Sequence, residues 1–88
     1  MKTRRKSLNT MMIQLDTFKK LQEFVSKCCG FDAEIELVSG KAVANAKSIM
    51  GTLALDFSKP LELRVRADNA QESTIIDLLR AFQYVGQP

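Results

Sequence analysis

The length, composition and charge of the chain restrict the kinds of protein it can be. Its 88 residues are 45% hydrophobic and 26% charged, with a formal net charge of +3, which is the composition of one folded domain rather than of a disordered segment. No apolar run approaches the roughly 18–20 residues of a transmembrane helix, and the N-terminus lacks the hydrophobic stretch of a secretion signal. We therefore expect a single cytoplasmic domain spanning residues 1–88.

The first segment of the chain is basic. Lys2, Arg4, Arg5 and Lys6 carry four positive charges, so without them the net charge of +3 becomes −1. A basic arm can contact phosphates or acidic lipid, although terminal charges are more often simply solvated. We therefore expect residues 1–6 to form a flexible arm. Because the rest of the chain has no basic face with interleaved aromatic residues, we expect no direct binding to nucleic acid. We expect no binding to a membrane either.

The next two predicted elements are a strand and an amphipathic helix. Residues 7–15 alternate loosely, which predicts a half-buried strand. Asp16 or Thr17 can then cap a helix over residues 17–29, and Gly30 fits a left-handed helix end. The apolar side of the strand is Met11, Ile13 and Leu15, and the apolar stripe of the helix is Phe18, Leu21, Val25 and Cys28, widened by Phe24 and Cys29.

The two cysteines, Cys28 and Cys29, are adjacent near the end of this helix. An adjacent pair cannot join distant segments by a disulfide, and two thiols in a chain without histidine fall short of a metal site. A redox pair is the weaker alternative to two small apolar side chains in a reducing compartment. We expect neither a metal nor a cofactor.

A hairpin and a short helix follow. Residues 32–38 and 41–45 are predicted strands, joined by a turn at residues 39–40. Ser48 precedes a short apolar run ending near Leu55, so its hydroxyl is placed to cap a helix by accepting from a backbone N–H two or three residues on. Such a helix start also tolerates added negative charge.

The last two elements complete the fold. Residues 61–68 show the cleanest alternation in the chain, after a connection that ends in Pro60, and residues 71–85 carry a broad helical stripe stopped by Gly86 and Pro88. The element order is β-α-β-β-α-β-α, and every strand has one apolar and one largely polar side. This pattern predicts an α+β fold, in which a four-stranded antiparallel sheet carries three helices on one face.

No set of catalytic residues is recognisable. The sequence has no glycine-rich phosphate loop and no histidine for a nucleophilic triad. Glu34, Glu36 and Glu62 are predicted on the open face of the sheet, where carboxylates are solvated far more often than catalytic. We expect a protein that is not an enzyme.

One motif resembles a known family. Gly40-Lys41, followed by Lys-Ser-Ile-Met-Gly at residues 47–51, is similar to the HPr family, the small phosphocarriers of the bacterial sugar phosphotransferase system. The similarity runs without gaps from about residue 16 to residue 82 and includes Phe-Asp-Ala at residues 31–33. It implies the open-faced β-sandwich of HPr proteins, and it places the regulatory phosphorylated serine of the family at Ser48.

The same alignment finds no counterpart of the family's active-site histidine. HPr phosphocarriers receive phosphate on a histidine at the start of the first helix, within Gly-apolar-His-Ala-Arg-Pro. Thr17 occupies the position of that histidine, Lys19 that of the arginine and Lys20 that of the proline. A threonine hydroxyl is not an unprotonated nucleophile near pH 7, and phosphothreonine is a stable ester, so we expect no histidine-type phosphorelay.

The resemblance implies a regulatory role. The family includes a histidine-less relative, catabolite repression HPr, whose serine is modified by an ATP-dependent HPr kinase/phosphorylase and which then acts as corepressor of a LacI-type transcription regulator. Carried over, Ser48 is the acceptor, and the residues that would bind other proteins are Lys47, Ile49, Met50, Leu53 and Lys19. The alternative is an HPr-fold interaction module in which Ser48 only caps a helix. Thr52, Ala54, Asp56 and Phe57 depart from the family's usual sequence, and a glycine is missing where Lys59-Pro60 stands. These differences affect the inference about partners more than that about fold.

Overall fold

The computed structural model describes residues 6–84. Residues 1–5 of the predicted flexible arm, and residue 85 at the end of the predicted last helix, lie outside the described residues. The predicted arm was wrong at Lys6, which begins the first strand. The elements are β1 (Lys6–Ile13), α1 (Phe18–Cys29), β2 (Glu34–Ser39), β3 (Ala42–Asn45), α2 (Ile49–Leu53), β4 (Leu61–Asp68), α3 (Asn69–Leu79) and a short 3-10 helix (Arg80–Phe82). The predicted element order is confirmed.

The four strands form one antiparallel sheet in the order β1-β4-β2-β3. β4 lies inside the sheet, and its four alternating apolar residues, Leu61, Leu63, Val65 and Ala67, are buried. The three helices cover this side of the sheet and leave the other side open. The predicted α+β open-faced sandwich is therefore confirmed.

The hairpin between β2 and β3 turns at Gly40 and Lys41, since Ser39 pairs with Ala42. Gly40 has a φ of 61°, in the left-handed region where a side chain is strained. Glycine is therefore favoured at residue 40, and the two turn residues, Gly40 and Lys41, lie one position later than the predicted pair 39–40.

The core lies between the helices and the sheet, and α1 supplies a large part of it through Leu21, Phe24, Val25 and Cys28. The Phe24 and Phe82 rings meet edge to face, with centroids 5.4 Å apart, which is a favourable aromatic geometry. Phe82 comes from the opposite end of the chain. This contact therefore links α1 to the segment that follows α3.

The predicted stripe of α1 was wrong at both ends. Phe18 is 48% exposed and Cys29 is also exposed. Residues 16–20 are all exposed, and the buried stripe of the helix runs only from Leu21 to Cys28. Gly30 is not left-handed but has a φ of −81°. The helix ends instead with i→i+3 bonds from Gly30 N to the Lys27 carbonyl and from Phe31 N to the Cys28 carbonyl.

The last helix starts and ends earlier than the sequence predicts. Asp68 caps it by accepting from Gln71 N at 3.1 Å, and α3 ends at Leu79. The chain then turns back to β1, where Tyr84 N donates to the Met12 carbonyl at 2.8 Å and Gln14 N donates to the Phe82 carbonyl at 2.9 Å. These bonds to a distant strand replace the last predicted turn of the helix.

Candidate functional site

Ser48 occupies the N-cap position of α2. Its backbone is extended, with φ −113° and ψ 117°, and its hydroxyl oxygen accepts from Gly51 N at 3.1 Å. Its carbonyl accepts from Thr52 N at 3.0 Å. The predicted cap is confirmed, and the side chain remains half-buried rather than enclosed.

The missing side chain of Gly51 leaves room for the serine. A Cβ built at residue 51 would lie 3.3 Å from the Ser48 hydroxyl oxygen and 3.7 Å from Ala44 Cβ. The first of these distances is tight for a Cβ contact. Glycine at this position therefore allows the serine hydroxyl to approach the backbone N–H that it caps.

Hydrogen bonds of Lys47 connect the loop before Ser48 to the C-terminal end of α1. Its Nζ donates to the Phe31 carbonyl at 2.6 Å, and its carbonyl accepts from the Cys29 thiol at 3.4 Å. Its backbone N donates to Asn45 Oδ1 at 2.9 Å. The ammonium group of this predicted binding residue is thus already engaged within the protein.

Three large apolar side chains next to Ser48 face outward. Ile49 is 39% exposed, Met50 81% and Leu53 38%, whereas Thr52 on the other side of α2 is fully buried. We call Ile49, Met50 and Leu53 the α2 patch. The sequence left open whether these residues belong to the core, and the structure places them at the surface.

The other two predicted positions lie at the start of α1. The Thr17 hydroxyl accepts from Lys20 N at 3.1 Å, so Thr17 rather than Asp16 is the N-cap of α1. Lys19 is exposed in the first turn, ten residues before Cys29 and so roughly 15 Å along the helix from the end that contacts Lys47. Lys47, Ser48 and the α2 patch lie together between residues 47 and 53. Lys19 lies at the opposite end of α1 from Cys29, which contacts Lys47.

The two cysteines differ in environment. Cys28 is fully buried, and this burial, with a smaller contribution from Cys29, raises the pKa of its thiol to about 12. Cys29 is exposed and donates to the Lys47 carbonyl. This contact beside the candidate site had no signal in the sequence, because its two residues are 18 positions apart.

This difference predicts selective alkylation. Iodoacetamide at pH 8 should modify Cys29 in the folded protein and leave Cys28 unmodified, since the thiolate is the reactive form and Cys28 is both buried and protonated. Intact mass should show one adduct under native conditions and two in guanidinium chloride. A Cys29→Ser variant should show none when folded, and rapid double modification of the native wild type would contradict the assignment.

Within residues 6–84, no group of three or more histidine, cysteine, aspartate or glutamate side chains is placed to hold a metal ion. No helix among the same residues is long and apolar enough to cross a membrane.

Comparison with known proteins agrees with this geometry. The sequence model of the PTS-HPr family, described as the PTS HPr component phosphorylation site, matches residues 20–83. The chain therefore belongs to the HPr family of the phosphotransferase system, whose members are phosphocarrier proteins rather than enzymes. The match includes Ser48 and begins after Thr17 and Lys19.

Solved HPr structures have the same fold. HPr-C-His from Thermoanaerobacter tengcongensis is 26% identical with a TM-score of 0.65, and the match covers 85% of this chain and 88% of that one. The phosphocarrier protein HPr from Bacillus anthracis str. Ames is 20% identical with a TM-score of 0.68, and covers 90% and 98%. A search of curated proteins found no significant match.

Proposed function

We propose that this HPr-family chain is a regulatory protein switched by phosphorylation of Ser48 and acting in carbon catabolite control. The modifying enzyme would be an ATP-dependent HPr kinase/phosphorylase, and the phosphorylated chain would bind a LacI-type transcription regulator. The chain would not relay phosphate through residue 17. This last part rests on the absence of histidine from the chain and on the capping role of the Thr17 hydroxyl.

The observation that carries the proposal is the position of Ser48 beside the α2 patch. A half-buried hydroxyl adjoins three apolar side chains that a folded domain would normally keep away from water, and Met50 is the most exposed of them at 81%. Such a contiguous apolar surface on a small domain is typical of a binding site. A kinase or a regulator docking on this surface would reach the Ser48 hydroxyl.

Local electrostatics are compatible with a phosphate at Ser48. The first turn of α2 has no acidic residue, so the added charge of about −1.5 to −2 would meet no adjacent carboxylate there. The nearest lysine in sequence, Lys47, holds the Phe31 carbonyl. The phosphate would therefore be bound mainly by basic groups of the partner.

The experiment is intact-mass analysis after incubation with HPr kinase and ATP. We expect one added phosphate on the wild type and none on Ser48→Ala or Ser48→Asp. The aspartate variant is the matched control for folding, because aspartate caps a helix about as well as serine, whereas alanine costs about 1 kcal/mol of cap stability. Ser58→Ala, altered at an exposed serine in the loop after α2, should be labelled like the wild type. Stoichiometric labelling of Ser48→Ala would contradict the proposal.

A second candidate is an interaction module in which Ser48 is never modified. The observation in its favour is that the Ser48 hydroxyl already has a structural role as the cap of α2. Folded wild type that takes up no phosphate, together with a partner whose binding is weakened by Met50→Ser, would favour this candidate.

A further inference from the structure

The open face of the sheet carries an ordered pattern of charge. Cross-strand pairing of residues 8–12 of β1 with β4, β2 and β3 defines three rows on this face. The first row is Leu8, Arg66 and Glu34, the second is Thr10, Arg64, Glu36 and Asn45, and the third is Met12, Glu62, Val38 and Val43. Two arginines therefore lie along β4, directly beside two glutamates along β2.

Both arginines form ion pairs within the chain but are only partly covered. Arg66 contacts Glu34 at 3.5 Å with side chains 51% and 63% exposed, and Arg64 contacts Glu62 at 3.2 Å. Glu36 is exposed beside Arg64. The guanidinium and carboxylate groups can therefore accept further partners from above the sheet.

The outer strands add apolar side chains to the same face. In the third row, Met12 on β1 is 45% exposed and Val43 on β3 is 56% exposed. They stand at opposite edges of the sheet. Any partner that covers the charged centre also meets an apolar side chain on each side.

We propose that this face binds the same face of a second copy of the chain, about a two-fold axis parallel to the strands and midway between β2 and β4. That rotation places β4 of each copy over β2 of the other, so Arg64 opposes Glu36 of the second copy. It also places β1 over β3, so Met12 opposes Val43 of the second copy. Two sheets packed in this way lie about 10 Å apart.

The charge pattern selects this axis over its alternative. A two-fold axis in the same plane but perpendicular to the strands would place β4 over β4 and β2 over β2. Arg64 would then face Arg64, and Glu36 would face Glu36, which is repulsive. The parallel axis is the arrangement in which the face is complementary to itself.

The size of the face predicts a weak dimer. The strands have 8, 8, 6 and 4 residues, and at about 4.8 Å between strands and about 3.3 Å per residue the face covers roughly 400 Å² per copy, or about 800 Å² in total. This area is smaller than that of a stable specific interface and fits a transient one. Association should therefore depend on protein concentration and weaken with salt.

This dimer is independent of the proposed function of Ser48. The α2 patch belongs to the helix layer, on the side of the sheet away from the open face. A dimer formed through the sheets would leave Ser48 accessible, and failure of either proposal would not affect the other.

The test is sedimentation velocity of the full chain at rising concentration in low salt, with charge-reversal variants. Wild type should show reversible dimerisation that is lost in 0.5 M salt. Glu36→Arg and Arg64→Glu should each bind themselves about tenfold or more weakly, because each places like charges opposite one another. An equimolar mixture of the two variants should recover association, since arginine then opposes glutamate at both contacts.

Mixing separates a contact between copies from a change within one copy. Each variant places like charges at the cross-strand neighbours 64 and 36 within one copy, and Arg64→Glu also loses the ion pair with Glu62; mixing cannot repair either change. Glu23→Arg, on the exposed side of α1, matches the change in net charge made by Glu36→Arg and should dimerise like the wild type. If a reversal variant does not fold by circular dichroism, Met12→Ser provides a milder disruption. A wild type that stays monomeric to about 1 mM in low salt, or folded variants that fail to recover on mixing, would overturn the proposal.

Discussion

Replacing Phe24 with alanine is expected to lower the free energy of unfolding by about 3–5 kcal/mol. Phe24 is fully buried on α1, and its ring and that of Phe82 meet edge to face, with centroids 5.4 Å apart. The substitution removes buried apolar surface, leaves a cavity and breaks this aromatic contact. Because the contact joins α1 to the segment after α3, the loss affects two distant parts of the chain.

The matched control is Phe18→Ala on the same helix. Phe18 is 48% exposed, so we expect its loss to cost less than about 1 kcal/mol. Urea unfolding followed by circular dichroism measures both changes. If Phe24→Ala is too unstable to give a folded baseline, Phe24→Leu keeps most of the buried volume and makes the comparison possible. Equal losses for the two alanine variants would contradict the packing described here.

Elements whose pattern depends on local periodicity were predictable. The alternation of residues 61–68 predicts β4 to the residue, because a strand inside the sheet must bury every second side chain against the helices. The apolar stripe of α1 was predictable in its middle and wrong at Phe18, since sequence spacing does not show which turns of a helix pack against the rest of the protein. The predicted end of α3 was wrong for a related reason. The backbone hydrogen bonds that replace the last turn of the helix join residues about 70 positions apart in the chain, and no local pattern indicates them.

The candidate site also has features that local sequence predicts and features that depend on tertiary packing. The cap at Ser48 depends on residues three positions apart, so the sequence contains the necessary information. The bonds of Lys47 to Phe31 and Cys29 depend on how the loop and α1 pack, and no local pattern encodes them. Lys19 was assigned by resemblance alone, and the structure places it at the other end of α1. The phosphorylation of Ser48 and the identity of its partners remain predictions.

Replacing Thr52 with valine is expected to raise the free energy of unfolding by about 1–2 kcal/mol. Thr52 is fully buried on the inner side of α2, and its hydroxyl has no hydrogen-bond partner among the described residues. Burying an unpaired hydroxyl is costly, and valine has nearly the same shape without the polar atom. For a domain of this size, such a gain raises the melting temperature by roughly 4–16 °C.

The companion variant Thr52→Ser should change stability in the opposite direction, because it keeps the hydroxyl and removes the methyl group. Both substitutions retain the backbone bond from residue 52 to the Ser48 carbonyl, so the cap geometry at Ser48 is common to the pair. Thermal unfolding by calorimetry distinguishes them. If Thr52→Val is instead destabilising, the hydroxyl has a partner in solution, such as a buried water or the carbonyl one turn back, and α2 is held by that bond. If the expected signs are found, apolar packing of its inner face, and not a hydrogen bond of the Thr52 hydroxyl, holds α2 in place.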